Sequence, residues 1–366
     1  MIRYVDDSSP GITRKRQGRY WMYFAPDGSR ITDRDEIDRL NAVGMPPAYE
    51  RCWFCPNPEG HIQAVGWDAR GRKQYRYHPA FREQQESRKY ERLAHFGRAL
   101  PKLRKRVEAD LAGKPTARET VLAAVVRLID ETRMRVGNEE YAKENKSFGA
   151  TTLRNRHARV ERGRLKITYT GKHGIKRTVT IADRNLSRIA KRTQDLPGQN
   201  LFEYLGEDGA VCPVTSSDVN AYIKEAMGDD FTAKDFRTWG ASVIAFEEML
   251  KRIEKHGTVK LKSVIEPVAE ALGNTPAISR KSYVHPALIE AAKDAGAIGE
   301  TKLPRATRHL SAAERGLIEF LDALPKEQVK VDAKVQRRSR AKGKSKAAAE
   351  AEVAAETRRK TEAEAA

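Results

Sequence analysis

The chain has 366 residues, with 69 Lys and Arg against 50 Asp and Glu, and a formal net charge of +19 at pH 7. This length corresponds to about two domains, and no apolar run reaches the roughly eighteen residues that a membrane-spanning helix needs. Three cysteines are too few for a disulfide framework, and the N-terminus shows no apolar signal region, so we expect a cytoplasmic protein. The positive surplus indicates an anionic partner, for which nucleic acid is the usual choice.

The positive charge is concentrated in one part of the chain. Residues 70–106 contain thirteen Lys and Arg and three acids, a surplus of +10 in 37 residues. A solvated helix face would pair its bases with acids four residues away, and this segment has too few acids for that. We therefore interpret residues 70–106 as a phosphate-binding surface.

The first part of the chain has the pattern of strands and turns. Residues 1–80 contain β-prone aromatic runs separated by turn residues, and His61–Tyr77 has the pattern of a hairpin. Pro79 marks a change, because apolar residues beyond it recur every three or four positions. The segment that follows is therefore predicted to be helical.

A second change of period lies in the middle of the chain. Between residues 150 and 182 apolar and polar residues alternate, which predicts a hairpin whose tip is Gly171–Gly174. The helical period then returns. Further helices are predicted at about 234–252, 259–272 and 282–294.

Together these elements predict an α+β protein with three parts. We expect a small β-rich N-terminal domain at residues 1–80 and a larger, mainly helical domain with a small sheet at 81–326. Residues 327–366 are rich in Lys, Arg, Ala and Glu, so we expect a disordered basic tail there.

Signatures of common cofactors are missing from the sequence. There is no P-loop and no G-x-G-x-x-G motif, and the carboxylates do not cluster as a two-metal site requires. Cys52 and Cys55 have His61 nearby but lack a fourth zinc ligand, so we interpret them as half-buried residues of the β-rich domain. We expect no metal, nucleotide or other cofactor.

Four segments contain basic residues, and the first and last also contain a tyrosine: Arg133–Asn145, Thr170–Lys172, Lys234–Gly240 and Leu272–Tyr283. They read RMRVGNEEYAKEN, TGK, KDFRTWG and LGNTPAISRKSY. In this order they resemble the motifs of the type IB DNA topoisomerases, in the small poxvirus-like form that also occurs in bacteria. The resemblance extends from about Gln74 to Tyr283, over half of the chain.

The resemblance implies an activity that needs no external energy source. Members of this family cut one DNA strand by transesterification, form a 3′-phosphotyrosyl link, let the free strand rotate and then rejoin it. The bond energy is kept in the covalent link, which agrees with the missing P-loop. The implied partner is duplex DNA, and the implied protein is a monomer associated with the nucleoid.

The resemblance also assigns catalytic roles to individual residues. Tyr283 matches the nucleophile, Arg135 and Arg237 match the arginines that bind the phosphate, and Lys172 matches the general acid. Asn274 stands where poxvirus and eukaryotic members have His. An Asn can donate a hydrogen bond but neither carries charge nor titrates, so we expect a minor role for this position.

A second group of residues is implied to contact DNA: Gln74, Tyr75, Tyr77, Tyr141 and Lys234. Tyr75 and Tyr77 lie two positions apart in a predicted strand, so both point to the same face. That face could equally be packed inward, and this alternative stays open on the sequence.

Two other functions also stay open on the sequence. A tyrosine site-specific recombinase has the same nucleophile, but it typically places a His three residues before the second arginine, where this chain has Lys234. A basic architectural protein would bind DNA with a steep salt dependence and never become covalently attached to it.

Overall fold

The computed structural model of the chain describes residues 1–293 and 302–324. Helices and antiparallel sheets both occur, which confirms the α+β prediction. The described residues up to Glu319 form one compact unit, and a second unit begins at Phe320. A domain boundary near residue 80 stays a prediction. The predicted tail at 327–366 lies outside the described residues. No helix within the described ranges is both long and apolar enough to span a membrane.

A five-stranded sheet occupies the N-terminal part. Its elements are β1 (Ile12–Gln17), β2 (Tyr20–Phe24), helix α1 (Arg34–Ala42), β3 (Glu50–Phe54), β4 (Ile62–Trp67) and β5 (Lys73–Tyr77). The strands are antiparallel in the order β2-β1-β3-β4-β5. Val65 pairs with Tyr75, which confirms the hairpin predicted there. Tyr23, Phe54 and Leu40 form the core between the sheet and α1.

Helices make up most of the rest. They are α2 (Pro79–Glu91), α3 (Leu93–Leu111), α4 (Arg118–Thr132), α5 (Glu139–Asn145), α6 (Arg184–Gln194), α7 (Ser216–Met227), α8 (Ala233–His256), α9 (Leu261–Leu272), α10 (Pro276–Ser282), α11 (Pro286–Ala291) and α12 (Ala312–Asp322). Helix α4 is apolar and buried along most of its length. The ring of Phe96 on α3 lies 5.1 Å from that of Phe236 and 6.1 Å from that of Trp239, both on α8. Each such buried aromatic contributes about 1.5–3 kcal/mol, so these helices form the main core.

The small second sheet carries the predicted central hairpin. It contains β6 (Ala158–Glu161), β7 (Arg164–Thr170) and β8 (Lys176–Ile181) in the order β6-β7-β8, and a separate pair joins β9 (Glu203–Leu205) to β10 (Val211–Pro213). Thr170 pairs with Lys176 across the hairpin, which confirms the prediction. The tip is one 3₁₀ turn, Lys172–Gly174, where His173 and Gly174 have φ values of 65° and 75°.

The single helix predicted at 282–294 is wrong within the described residues. Helix α10 ends at Ser282, and a new helix starts at Pro286. Proline has no N–H to continue a helix, and it disfavours helical dihedrals in the residue before it. His285 accordingly adopts an extended conformation, with φ −58° and ψ 131°. The break leaves Tyr283 on a three-residue linker between two short helices.

The basic run at 70–106 is partly neutralised inside the protein. Arg104 forms ion pairs of 2.8 Å with both Asp130 and Glu314, and Arg106 pairs with Asp110 at 2.7 Å. All three acids lie outside the run, so the charge count within the run overstates the positive charge that is free to bind a partner. The interpretation of the whole run as a phosphate-binding surface is therefore wrong for Arg104.

Candidate active site

Arg135 lies in the loop after α4. Residues 148–150 hold this loop in place. The N–H of Ala150 donates to the Arg135 carbonyl at 2.9 Å, and the N–H of Phe148 donates to the Thr170 carbonyl at 2.8 Å. A Cβ on Gly149 would lie 2.6 Å from the Arg135 carbonyl oxygen, so glycine is required for this approach. The same segment thus ties the Arg135 loop to the end of the central hairpin.

Arg237 lies on α8 and is 3% exposed. Its Nη2 donates to the Leu272 carbonyl at 3.1 Å, and its Nη1 donates to the Arg133 carbonyl. These bonds fix the guanidinium between the C-terminal ends of α4 and α9. Its Nε–H is buried and has no hydrogen-bond partner among the described residues.

Asn274 follows the C-terminal end of α9 and contacts Arg135. Gly273 ends that helix with φ +60°, a left-handed conformation that favours glycine. A Cβ there would also lie 2.6 Å from Nη1 of Arg177, so the close approach of Arg177 requires glycine as well. The Oδ1 of Asn274 accepts from Nη2 of Arg135 at 3.0 Å. Its Nδ2 is buried without a partner in the described part of the chain.

Tyr283 faces the two arginines from its linker. The guanidinium carbon of Arg237 lies 5.0 Å from the centre of the Tyr283 ring. Burial raises the pKa of the Tyr283 phenol, but the charges of Arg237 and then Arg135 lower it, and the net shift is downward. The phenol is therefore easier to ionise than an ordinary tyrosine, whose pKa is about 10.

A depression joins Arg135 and Arg237 to the hairpin tip. It is lined by Arg135, Phe148, Tyr169, Gly171, Lys172, Ile175, Arg177, Arg237 and Gly273. Lys172 is exposed at its rim, and no acidic residue of the described chain lines it. Burial raises the pKa of Tyr169, opposed by Arg177, Arg237 and Arg135, which leaves its phenol protonated. The depression is a cationic site suited to an anion.

The orphaned donors indicate where that anion would lie. A buried donor without a partner costs about 1–3 kcal/mol, yet Arg237 Nε and Asn274 Nδ2 both lack one within the described residues. Nonbridging phosphate oxygens would satisfy both. Guanidinium groups suit this task because they stay charged and donate in a fixed fork.

The residues implied to contact DNA lie on β5, α5 and α8. Tyr75 and Tyr77 on β5 are 39% and 41% exposed, and their rings stack at 5.9 Å, so the inward-packed alternative is wrong. Gln74, on the same strand, donates to Asp68 at 3.2 Å. Tyr141 on α5 is 45% exposed. The three tyrosines are accessible to a large partner, whereas Gln74 is half-buried.

Lys234 is exposed on the first turn of α8, one turn before Arg237. Cys52 and Cys55 are both buried in the N-terminal part, and no group of three or more His, Cys, Asp or Glu in the described ranges is arranged to bind a metal.

The sequence interpretation missed two residues near the site. Arg177 lines the depression and donates to the Ala271 carbonyl at 2.7 Å; its only sequence signal is its place on the strand returning from Lys172. Lys89 was counted in the basic run, but its Nζ donates to the Ser282 carbonyl at 2.7 Å. Neither contact has a local signature in the sequence.

The role that the resemblance implies for Arg135 predicts that Arg135→Ala slows strand cleavage by about 10²–10³-fold, the cost of removing one donor that stabilises a transition state. The charge of Arg135 lowers the pKa of Tyr283, so its removal raises that pKa. The rising limb of the rate–pH profile should therefore move to higher pH, as single-turnover cleavage across a pH series would show. Arg135→Lys keeps the charge and should shift the limb less. An unchanged limb in Arg135→Ala would contradict the assignment.

The burial of His285 is expected to make the free energy of unfolding depend on pH. Burial lowers its pKa to about 4, and a bond to the Tyr90 backbone opposes this. The unfolded pKa is about 6.5, so between these values the unfolded state binds more protons and is favoured. The free energy of unfolding should fall by about 3 kcal/mol from this residue as the pH drops from above 6.5 to 4.

His285→Asn is the variant that tests this, because Asn keeps an acceptor for the Ala287 N–H that the His285 Nδ1 now accepts. Denaturant unfolding across the pH series should show a shallower dependence for the variant. Identical slopes for the two proteins would count against a buried neutral His285.

Comparisons with known proteins agree with this site. The family model of the eukaryotic DNA topoisomerase I catalytic core matches residues 78–310, and that of the bacterial DNA topoisomerase IB N-terminal domain matches residues 20–68. The DNA topoisomerase 1B of Acanthamoeba polyphaga mimivirus is 34% identical over 285 residues, covering 75% of this chain and 85% of that protein. The vaccinia virus DNA topoisomerase 1B is 24% identical over 254 residues, covering 67% of this chain and 76% of that protein.

The chain belongs to the type IB DNA topoisomerases. The prediction of an isomerase that acts on DNA is thereby confirmed, in preference to a recombinase or a non-catalytic DNA-binding protein. A solved XerH site-specific recombinase bound to a palindromic difH substrate aligns with a TM-score of 0.33 and 20% identity, covering 52% of this chain and 50% of that chain. Similarity at this level does not separate the functions.

Proposed function

We propose that this topoisomerase relaxes duplex DNA through a covalent link between Tyr283 and a DNA 3′-phosphate. The phenolate oxygen attacks the phosphorus, the bond to the 5′-oxygen breaks, and a free 5′-hydroxyl is released. The free strand rotates, and the 5′-hydroxyl then attacks the phosphotyrosyl phosphorus and restores the backbone. The supporting observation is the Tyr283 phenol, whose pKa is lowered by Arg237 and Arg135 despite its burial.

Arg135, Arg237 and Asn274 would stabilise the transition state. Negative charge builds on the nonbridging oxygens as the phosphorus becomes five-coordinate, and preorganised donors at that place lower the barrier. Nε of Arg237 and Nδ2 of Asn274 are buried donors of this site that have no partner in the described residues. Asn274 also orients Arg135 through its 3.0 Å bond. It supplies a hydrogen bond without a titrating charge.

Lys172 would protonate the leaving 5′-oxygen. The hairpin tip exposes its ammonium at the rim of the depression that Arg135 and Arg237 also line. One proton leaves the phenol and one is delivered to the 5′-oxygen, so the reaction balances without a redox partner. One phosphodiester replaces another, so no ATP is consumed.

The exposed side chains Tyr75, Tyr77, Tyr141 and Lys234, and the half-buried Gln74, would contact the duplex. Such contacts position the protein on the backbone or read base edges. We further propose a monomer that acts in the cytoplasm on nucleoid DNA, since one chain carries every group used in the reaction.

The direct test is relaxation of supercoiled plasmid in EDTA without ATP. Relaxation of both positive and negative supercoils is expected, because strand rotation is driven by the torsion itself. A requirement for Mg²⁺ or ATP in the chemical step would overturn the proposed mechanism, while family membership would remain.

A further inference from the structure

The linker that carries Tyr283 is short and is fixed from one side by its own neighbours. The N–H groups of Tyr283 and Val284 both donate to the Ser279 carbonyl at 3.1 Å. The Ser242 hydroxyl on α8 lies 3.4 Å from the Tyr283 carbonyl and accepts from the His285 N–H at 3.1 Å. These bonds fix the backbone on the side of α8 and α10.

The other side of the linker is fixed by the C-terminal end of α2. The Nζ of Lys89 donates to the Ser282 carbonyl at 2.7 Å. The next residue, Tyr90, packs its ring against that of His285 at 5.3 Å and 75°. Two consecutive residues of α2 therefore contact Ser282, which precedes the linker, and His285, which is its last residue.

Lys89 differs from the other bases of the run at 70–106. Its side chain is half-buried, and its Nζ lies 4.2 Å from the centre of the Tyr90 ring. Burial lowers its pKa, opposed by Glu86, Tyr283 and Asp235. A lysine whose ammonium is directed at a backbone carbonyl and interacts with the Tyr283 phenol is poorly placed for a DNA phosphate.

The N-terminal end of α2 is attached to the strands of the first sheet. The ring of Phe81 lies 5.7 Å from that of Tyr77 on β5 and 5.0 Å from that of His61. Between its ends α2 is mostly exposed, and Tyr90 is its one fully buried residue. Thirteen residues of helix span about 20 Å, so α2 is a rod anchored at both ends.

We propose that Lys89 is a positioning residue for strand cleavage: it holds the Ser282 carbonyl and thereby orients the Tyr283 phenol toward the phosphorus. Through α2, this hold connects the Tyr283 linker to β5, the strand that would contact DNA. The inference rests on the proposed role of Tyr283 as nucleophile. An error of about 1 Å in the place of a reacting group can cost about 100-fold in rate, so the contact matters for chemistry although Lys89 touches no reacting atom.

The test compares Lys89→Met, which keeps the length of the stem but loses the donor, with Lys89→Arg, which keeps a charged donor. Lys262→Met is the matched control, because it removes the same ammonium from a lysine that is exposed on α9, outside the basic run. Single-turnover cleavage of a labelled duplex is measured with enzyme in excess, beside duplex affinity and melting temperature.

We expect Lys89→Met to cleave about 10–100-fold more slowly with wild-type affinity, and Lys89→Arg and Lys262→Met to cleave near the wild-type rate. Wild-type cleavage by Lys89→Met would overturn the proposal, as would a loss that Lys89→Arg does not restore in a variant that melts normally. A covalent adduct that persists in Tyr283→Phe would instead overturn the proposed nucleophile, so the two failures are distinguishable.

Discussion

Tyr283→Phe is expected to abolish both plasmid relaxation and the covalent protein–DNA complex. The substitution removes only the attacking oxygen, and no other group can replace it in this transfer. The ring that faces Arg237 remains, and the backbone bonds to Ser279 and Ser242 are unaffected. Duplex affinity should therefore stay at the wild-type level in a gel-shift titration, while relaxation falls below detection.

Tyr169→Phe is the matched control for this loss. Tyr169 is also a buried tyrosine, and it lines the depression beside the same arginines. Burial raises its pKa, whereas the pKa of Tyr283 is lowered. We expect Tyr169→Phe to retain relaxation. An inactive Tyr169→Phe beside an active Tyr283→Phe would reverse the assignment of the nucleophile.

Lys172→Ala is expected to slow cleavage by about 10²–10⁴-fold, the usual contribution of a general acid. The loss should largely disappear on a duplex whose scissile 5′-oxygen is replaced by sulfur. A thiol has a pKa of roughly 8.5, far below that of an alcohol, so a thiolate leaves without being protonated. Single-turnover cleavage of the two substrates by wild type and variant measures the rescue.

Lys176→Ala controls for the loss of positive charge in the same hairpin. Lys176 is exposed at the start of β8, close to the tip in sequence. Replacing it with Ala should lower the cleavage rate only slightly, and to the same extent for the oxygen and the sulfur duplex. If the sulfur substrate did not rescue Lys172→Ala, Lys172 would be a DNA-binding residue rather than the proton donor.

Local patterns in the sequence predicted much of the fold. The alternation of Leu165, Ile167 and Tyr169 predicted the central hairpin, and all three are buried on β7. Periodicity of this kind reports which face of an element is covered, and so it identifies long elements well. The apolar pattern continues across residues 282–294 and so hides the break at Tyr283, which arises because Pro286 disfavours helical dihedrals in the residue before it.

The five residues proposed to be catalytic came from motifs that resemble a family, and the structure brings them close to one another. Contacts between distant segments could not be predicted in this way. Arg104 pairs with Glu314, 210 positions away, and Lys89 bonds to Ser282, 193 positions away. A local charge count assigns such bases to the surface, because their hydrogen-bond partners are distant in sequence and come close only when the chain folds.

The central claim is a covalent link between the Tyr283 oxygen and a DNA 3′-phosphate. Its most direct test is to identify which amino acid and which DNA end are joined in the covalent complex. Wild-type protein is mixed with a strand-labelled duplex, denatured with detergent during cleavage, and digested with nuclease and trypsin. We predict that protein stays attached to the fragment bearing the 5′ label, which marks a 3′ linkage, and that the nucleotide is on the peptide 282–293, SYVHPALIEAAK, where Tyr283 is the one tyrosine. An adduct on another peptide, or on the fragment bearing the 3′ label, would contradict the account.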